Sequence, residues 1–175
     1  MELLTMDYWD TFFSNEDDLK RAKEQQLERV ITIMPWIATI DKFQHWVYEN
    51  PFHTVEERTH QWMDILQEFS SKIVDFKGLE YYRRISWQRQ LHLFEVPLYY
   101  IEYGIAQLGA IGMWKQFKAN KENALDNYMK ALSLGGTKTL PELYATAGLR
   151  FDFSPAYIKE LMDFVQSEMT ALNKS

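Results

Sequence analysis

One histidine and three tyrosines lie close together in the second half of the chain. His92 is followed five positions later by Pro97, and Tyr99, Tyr100 and Tyr103 follow the proline. An imidazole and several phenols can donate hydrogen bonds to a developing oxyanion or to a peptide backbone. The same residue types also serve as core aromatics whose polar tips find partners, and the residues alone leave both interpretations open.

The helix predicted after these tyrosines is unusually rich in small residues. It contains Gly104, Gly109 and Gly112. A glycine inside a helix costs about 1 kcal/mol relative to alanine. We therefore expect another backbone, from a neighbouring helix or from an extended ligand, to approach this helix closely.

The four histidines do not form a zinc-binding helix motif. H-E-x-x-H would place two imidazoles on one helix face beside a glutamate, and the sequence does not contain it. Glu57 and His60 match the E-x-x-H of di-iron carboxylate bundles, but the second such motif that those sites need is missing. We expect no metal ligand in this chain.

The composition excludes several classes of function. The net charge of -6 argues against a nucleic-acid partner, which would need a basic surface. The absence of cysteine excludes disulfides, thiolate metal sites and a cysteine nucleophile, and it fits a cytoplasmic location. No apolar run approaches the roughly 20 residues of a membrane span, so we expect no membrane partner.

Helical periodicity without sustained alternation predicts an all-α chain of about eight helices, forming a single helical domain over 1–175. Two of the predicted helices, 81–94 and 99–119, carry the histidine and the tyrosines and are separated by a break at Pro97. A proline at position 35 is expected to kink a long helix. Thr54-Val-Glu-Glu57 is a capping box that begins the next one.

A longer pattern combines these features. A histidine is followed at +5 by proline, then by closely spaced tyrosines and a helix rich in glycine and alanine, here His92, Pro97, Tyr99, Tyr103 and 104–110. The pattern continues with 124–136, Leu140-Pro-Glu-Leu143 and Ala147-Gly-Leu149. It resembles the C-terminal part of oligoendopeptidase F-type zinc metallopeptidases, relatives of thimet oligopeptidase. The likeness is strongest over 85–164, and the beginning at Met1 resembles the helix just after that family's third zinc ligand.

The resemblance implies a function. Members of that family fold into two mostly helical lobes around a deep channel, and an H-E-x-x-H helix with a downstream glutamate binds zinc. By resemblance, His92 and Tyr103 are the candidate catalytic contacts, and Tyr99 and Tyr100 the candidate substrate-binding residues. The family often has tyrosine at +9 from the histidine, where this chain has Ile101 and places Tyr100 one position earlier.

The same resemblance implies a partner and a cofactor. We expect this chain to be the C-terminal helical lobe of a longer, cytoplasmic peptidase that cleaves short peptides. Its partner would be the N-terminal catalytic part of the same polypeptide. Zinc would belong to the full-length parent, and the isolated chain would hold none and be inactive.

An alternative is a non-catalytic helical interaction module. Residues 123–134 and 140–149 look like one tetratricopeptide unit, with a turn between two helices. Such arrays need at least about three repeats, and no repetition at a spacing of about 34 residues is found elsewhere in the chain.

Overall fold

The structure, a computed structural model, describes residues 2–174; Met1, where the family resemblance begins, and Ser175 lie outside the described residues. Residues 2–174 contain α-helices and no β-strand, which confirms the all-α prediction. The helices are α1 Glu2–Thr5, α2 Glu16–Glu49, α3 Val55–Phe69, α4 Glu80–Ile85, α5 His92–Glu95, α6 Ile101–Ala119, α7 Lys121–Ser133, α8 Leu140–Thr146 and α9 Pro155–Leu172. Short 3-10 helices cover Met6–Thr11 and Ser86–Arg89. Over the described part of the chain, every helix is too short or too polar to cross a membrane.

The chain divides into two compact units. One comprises the chain up to Val30 together with the chain from Ile105 onward, and the other comprises 31–104. The second unit contains the histidine and all three tyrosines of interest. The assignment of 1–175 to a single domain stays a prediction.

In the first unit, side chains from other parts of the chain fill the space next to two glycines of α6. A Cβ added to Gly109 would lie 2.5 Å from the hydroxyl oxygen of Tyr144, which itself donates a hydrogen bond of 2.6 Å to the carbonyl of Ile105. A Cβ on Gly112 would lie 3.0 Å from Leu149 Cδ2. At Gly109 and Gly112 the space next to the helix is therefore filled by side chains and not by the backbone of a neighbouring helix, while the approach of an extended ligand stays a prediction.

The second unit is built on the C-terminal half of α2. Its core contains Ile37, Ile40 and Phe43 of that helix, which are at most 2% exposed. This helix is continuous through Pro35. A proline inside a helix costs about 3 kcal/mol, and burial of the three apolar side chains that follow it offsets that cost, since each contributes about 1.5–3 kcal/mol.

The helix predicted over 81–94 is wrong. Helix α4 ends at Ile85, a 3-10 helix follows, and Gln90 is extended, with φ -90° and ψ 92°. The carbonyl of Arg83 accepts hydrogen bonds of 2.8 Å from the indole N–H of Trp62 and 2.8 Å from the hydroxyl of Ser86. A side chain of α3 thus donates a hydrogen bond to the Arg83 carbonyl, close to the residue at which α4 ends.

We predict that the hydrogen bond of Trp62 contributes measurably to stability. Trp62 is fully buried and packs edge-on against Phe43 at 5.0 Å between ring centroids. Trp62→Phe deletes the indole N–H and leaves the Arg83 carbonyl with one donor fewer. Because the Ser86 hydroxyl still donates to that carbonyl, the free energy of unfolding of the variant, measured by urea denaturation, should fall by about 0.5–1.5 kcal/mol beyond the effect of lost volume.

Trp114→Phe is the matched control. Trp114 is 2% exposed and packs edge-on against Phe164 at 4.8 Å, but its indole nitrogen has no hydrogen-bond partner among the described residues. The same substitution there removes similar volume without a hydrogen bond. Equal losses of stability in the two variants would contradict the role assigned to the Trp62 N–H.

Candidate functional site

The four residues singled out from the sequence form one cluster in the second unit. His92 Nε2 lies 3.0 Å from the hydroxyl oxygen of Tyr103. The imidazole stacks on the Tyr99 ring at 6.1 Å with 14° between the planes, and it meets the Tyr100 ring edge-on at 5.1 Å. Tyr103 also meets the rings of both other tyrosines edge-on. We call these four residues the His–Tyr cluster.

The members of the cluster differ in exposure. Tyr99 and Tyr103 are 45% and 43% exposed, whereas Tyr100 is only 8% exposed. Burial raises the pKa of the Tyr100 phenol, and a hydrogen bond with the Trp36 indole opposes that rise. The cluster therefore has an accessible side, formed by two phenols, and a buried side that joins the core.

A strained turn brings the tyrosines back onto the histidine. Leu98 has φ +52°, in the left-handed region, which costs a residue with a Cβ about 1–2 kcal/mol. Its N–H donates a hydrogen bond of 3.0 Å to the side-chain oxygen of Gln44, which is 3% exposed. The buried amide of α2 therefore satisfies the backbone at the point where the chain turns from α5 towards α6. Pro97 lies in this turn, outside the first turn of α6.

Two further residues touch the histidine or its support, and sequence reasoning missed both. The side-chain nitrogen of Gln90 lies 2.8 Å from His92 Nδ1, and the indole N–H of Trp36 donates to the Gln90 oxygen at 3.3 Å. The one sequence signal for the contact between Gln90 and His92 is that the glutamine lies two positions before the histidine. In a continuous helix over 81–94 these two side chains would not face each other, so the signal predicts a contact only when that helix is interrupted.

The described residues do not fit a zinc site. Over 2–174, no group of three or more His, Asp or Glu side chains is close enough to hold a metal ion. The two residues of the E-x-x-H motif have other partners. Hydrogen bonds from the backbone N–H and hydroxyl of Thr54 lower the pKa of the Glu57 carboxyl, and His60 Nδ1 lies 3.2 Å from Asp64 Oδ2. The predicted capping box is confirmed by the first of these contacts.

Comparison with known proteins identifies relatives. Residues 1–163 match the family model described as peptidase family M3. An X-ray structure of a protein assigned as an oligoendopeptidase F is similar at a TM-score of 0.78 and 29% identity over 88% of this chain. A crystal structure of a protein assigned as an oligoendopeptidase F from Bacillus anthracis str. Ames is similar at a TM-score of 0.73 and 26% identity over 97% of this chain. No curated protein matches the chain.

The similarity extends over most of the chain but over a smaller part of the relatives. This chain covers 27% of each of the two solved structures. The resemblance recognised from the His–Pro–Tyr pattern is confirmed by the family match and by the shared helical fold. On these grounds the chain belongs to peptidase family M3, as a region of a peptidase related to oligoendopeptidase F.

Proposed function

We propose that this chain is the C-terminal helical region of a cytoplasmic, zinc-dependent metalloendopeptidase that hydrolyses short peptides. Within that region, Tyr103 donates a hydrogen bond to the reacting carbonyl oxygen of the substrate, and His92 acts in catalysis through its contact with the Tyr103 hydroxyl. The observation that carries the proposal is the 3.0 Å contact between His92 Nε2 and the hydroxyl of Tyr103, a phenol that is 43% exposed.

The chemistry of peptide hydrolysis explains why such a pair is useful. Attack on a peptide carbonyl develops negative charge on its oxygen, and donors fixed in position stabilise that charge without having to reorganise. The Tyr103 hydroxyl contacts an imidazole, and the Tyr103 ring packs edge-on against the rings of two neighbouring tyrosines. Its position is therefore largely determined before a substrate arrives.

The other two tyrosines have different surroundings. Tyr99 is 45% exposed and stacked on the imidazole, so its ring offers an accessible apolar face with a polar tip to a bound peptide. Tyr100 is 8% exposed and packs in the core of its unit. In the described conformation its surface is small, and its assignment to substrate binding stays a prediction.

The described residues of this chain offer no group of three side chains that could hold a zinc ion, so we propose that its ligands come from the N-terminal catalytic part of the same polypeptide. The coverage supports this, because the chain corresponds to 27% of the length of each solved relative. When bound, zinc would supply a Lewis acid to the reaction. The contribution of this chain is to hold the substrate and to donate hydrogen bonds.

We predict that Tyr103→Phe in the complete peptidase lowers kcat about 100-fold, the loss expected on removing one donor to an oxyanion. KM should change little, because the contact is made chiefly in the transition state. Steady-state kinetics with a quenched fluorescent peptide measures both constants.

Tyr82→Phe provides the control for that experiment. Tyr82 is 66% exposed and packs edge-on against Tyr81, and its hydroxyl is not in the His–Tyr cluster. This variant should retain full activity. A kcat of Tyr103→Phe equal to that of Tyr82→Phe would remove Tyr103 from the proposed role.

We predict that Tyr99→Ala acts mainly on binding. Loss of the exposed ring face should raise KM about tenfold, equivalent to about 1.4 kcal/mol, with a smaller effect on kcat. The same peptide assay separates the two constants. A variant that lowers kcat while KM stays constant would show that Tyr99 acts on the transition state instead.

We predict that the isolated 175-residue chain neither binds zinc stoichiometrically nor cleaves peptides. The reason is that no described cluster of side chains offers three ligands. Metal analysis after dialysis against zinc, together with the peptide assay, tests both statements. Chelator-sensitive cleavage by the purified chain would contradict the proposal that the ligands are supplied elsewhere.

A further inference from the structure

Three hydrogen bonds in series end at the hydroxyl of Tyr103. The indole nitrogen of Trp36 lies 3.3 Å from the side-chain oxygen of Gln90. The side-chain nitrogen of Gln90 lies 2.8 Å from His92 Nδ1. His92 Nε2 lies 3.0 Å from the Tyr103 hydroxyl oxygen. All four residues belong to the same compact unit.

The donors and acceptors of this series can be assigned from its first member. An indole N–H can only donate, so the atom of Gln90 that faces Trp36 is the amide oxygen. A flipped amide would place its NH₂ group against the indole N–H. The amide nitrogen of Gln90 therefore faces His92 Nδ1, and an amide nitrogen can also only donate. Nδ1 must then accept, and the neutral imidazole carries its proton on Nε2.

The direction of the series determines what Tyr103 can do. When His92 Nε2–H donates to the phenolic oxygen, that oxygen uses a lone pair towards the histidine. The hydroxyl proton of Tyr103 is then free to point away from His92. With the opposite tautomer, Nε2 would accept the phenolic proton, and Tyr103 would offer only a lone pair to a substrate.

We propose that Gln90, oriented by Trp36, is a positioning residue that sets the His92 tautomer and so keeps the Tyr103 hydroxyl as an outward hydrogen-bond donor. The assignment of the tautomer stands on the contacts alone. Its catalytic consequence rests on the proposed function, because it requires Tyr103 to donate to the reacting carbonyl oxygen.

The first residue of the series is held by its own contacts. Trp36 packs against the core of its unit and meets the Trp62 ring edge-on at 6.0 Å between centroids. The guanidinium carbon of Arg89 lies over the Trp36 ring, 5.1 Å from the ring centroid. The buried Tyr100 phenol also interacts with this indole. A rigid donor at the start of the series gives the Gln90 amide one preferred orientation.

The tautomer of His92 can be measured directly in this chain. We expect the ¹⁵N spectrum of the imidazole, recorded at alkaline pH where histidines are neutral, to show a protonated Nε2 and an unprotonated Nδ1. A proton on Nδ1 in the unmodified chain would overturn the proposal without the need for any variant.

Gln90→Glu reverses the direction of the hydrogen bond between residue 90 and His92 Nδ1. A carboxylate can only accept, so Nδ1 must carry the proton and Nε2 must accept from Tyr103. We expect the ¹⁵N spectrum of this variant to show the inverted tautomer. Gln88→Glu is the matched control, since it introduces the same charge at an exposed position of the 3-10 helix just before Gln90 and should leave the tautomer unchanged. An uninverted tautomer in folded Gln90→Glu would overturn the assignment.

Kinetics of the complete peptidase tests the catalytic consequence. Gln90→Glu should lower kcat about 100-fold with little change in KM, as expected for a lost transition-state donor, whereas Gln88→Glu should leave both constants unchanged.

If Tyr103→Phe lowers kcat but Gln90→Glu does not, the positioning role is wrong and the proposed function stands. If Tyr103→Phe also leaves kcat unchanged, the proposed function fails while the measured tautomer is unaffected. Gln90→Met, which removes the amide without adding charge, replaces Gln90→Glu if that variant does not fold.

Discussion

The turn at Leu98 is the constraint on which the His–Tyr cluster depends. A residue with a side chain adopts φ +52° there, and the side-chain oxygen of the buried Gln44 accepts its N–H. Without that acceptor, a backbone N–H would lose its partner in a part-buried setting, at a cost of about 1–3 kcal/mol. Because the turn is held from α2, Tyr99 and Tyr103 can lie against His92 even though α5 is only a single turn of helix.

The tyrosines of the His–Tyr cluster differ in how far they are buried. Tyr100 is buried, and burial raises the pKa of its phenol above the usual value. Tyr99 and Tyr103 keep nearly half of their surfaces exposed. One side of the cluster is therefore part of a core, while the other side is accessible to a ligand. Because the buried side fixes the cluster, its hydrogen-bond donors are held in positions that hardly change on binding.

Local signals were predictable from the sequence, and non-local ones were not. The capping box at Thr54–Glu57 forms as its spacing indicates, because both partners lie within one helical turn. The helix predicted over 81–94 ends at Ile85 instead, close to the carbonyl of Arg83 that accepts a hydrogen bond from Trp62 of another helix. Periodicity counts only residues along one segment, so it cannot include a donor that arrives from another helix.

The sequence by itself determined the helical class through its periodicity, and its resemblance to a known family indicated both the family and the four residues of the His–Tyr cluster. Only the tertiary structure decided that Gln90 contacts His92, that Trp36 orients Gln90, and that Tyr100 is buried while Tyr103 is exposed. The physical reason is that hydrogen-bond direction and solvent exposure depend on which elements pack together. Trp36 and Gln90 lie far apart in the chain, and the packing of α2 against the segment before α5 brings them into contact.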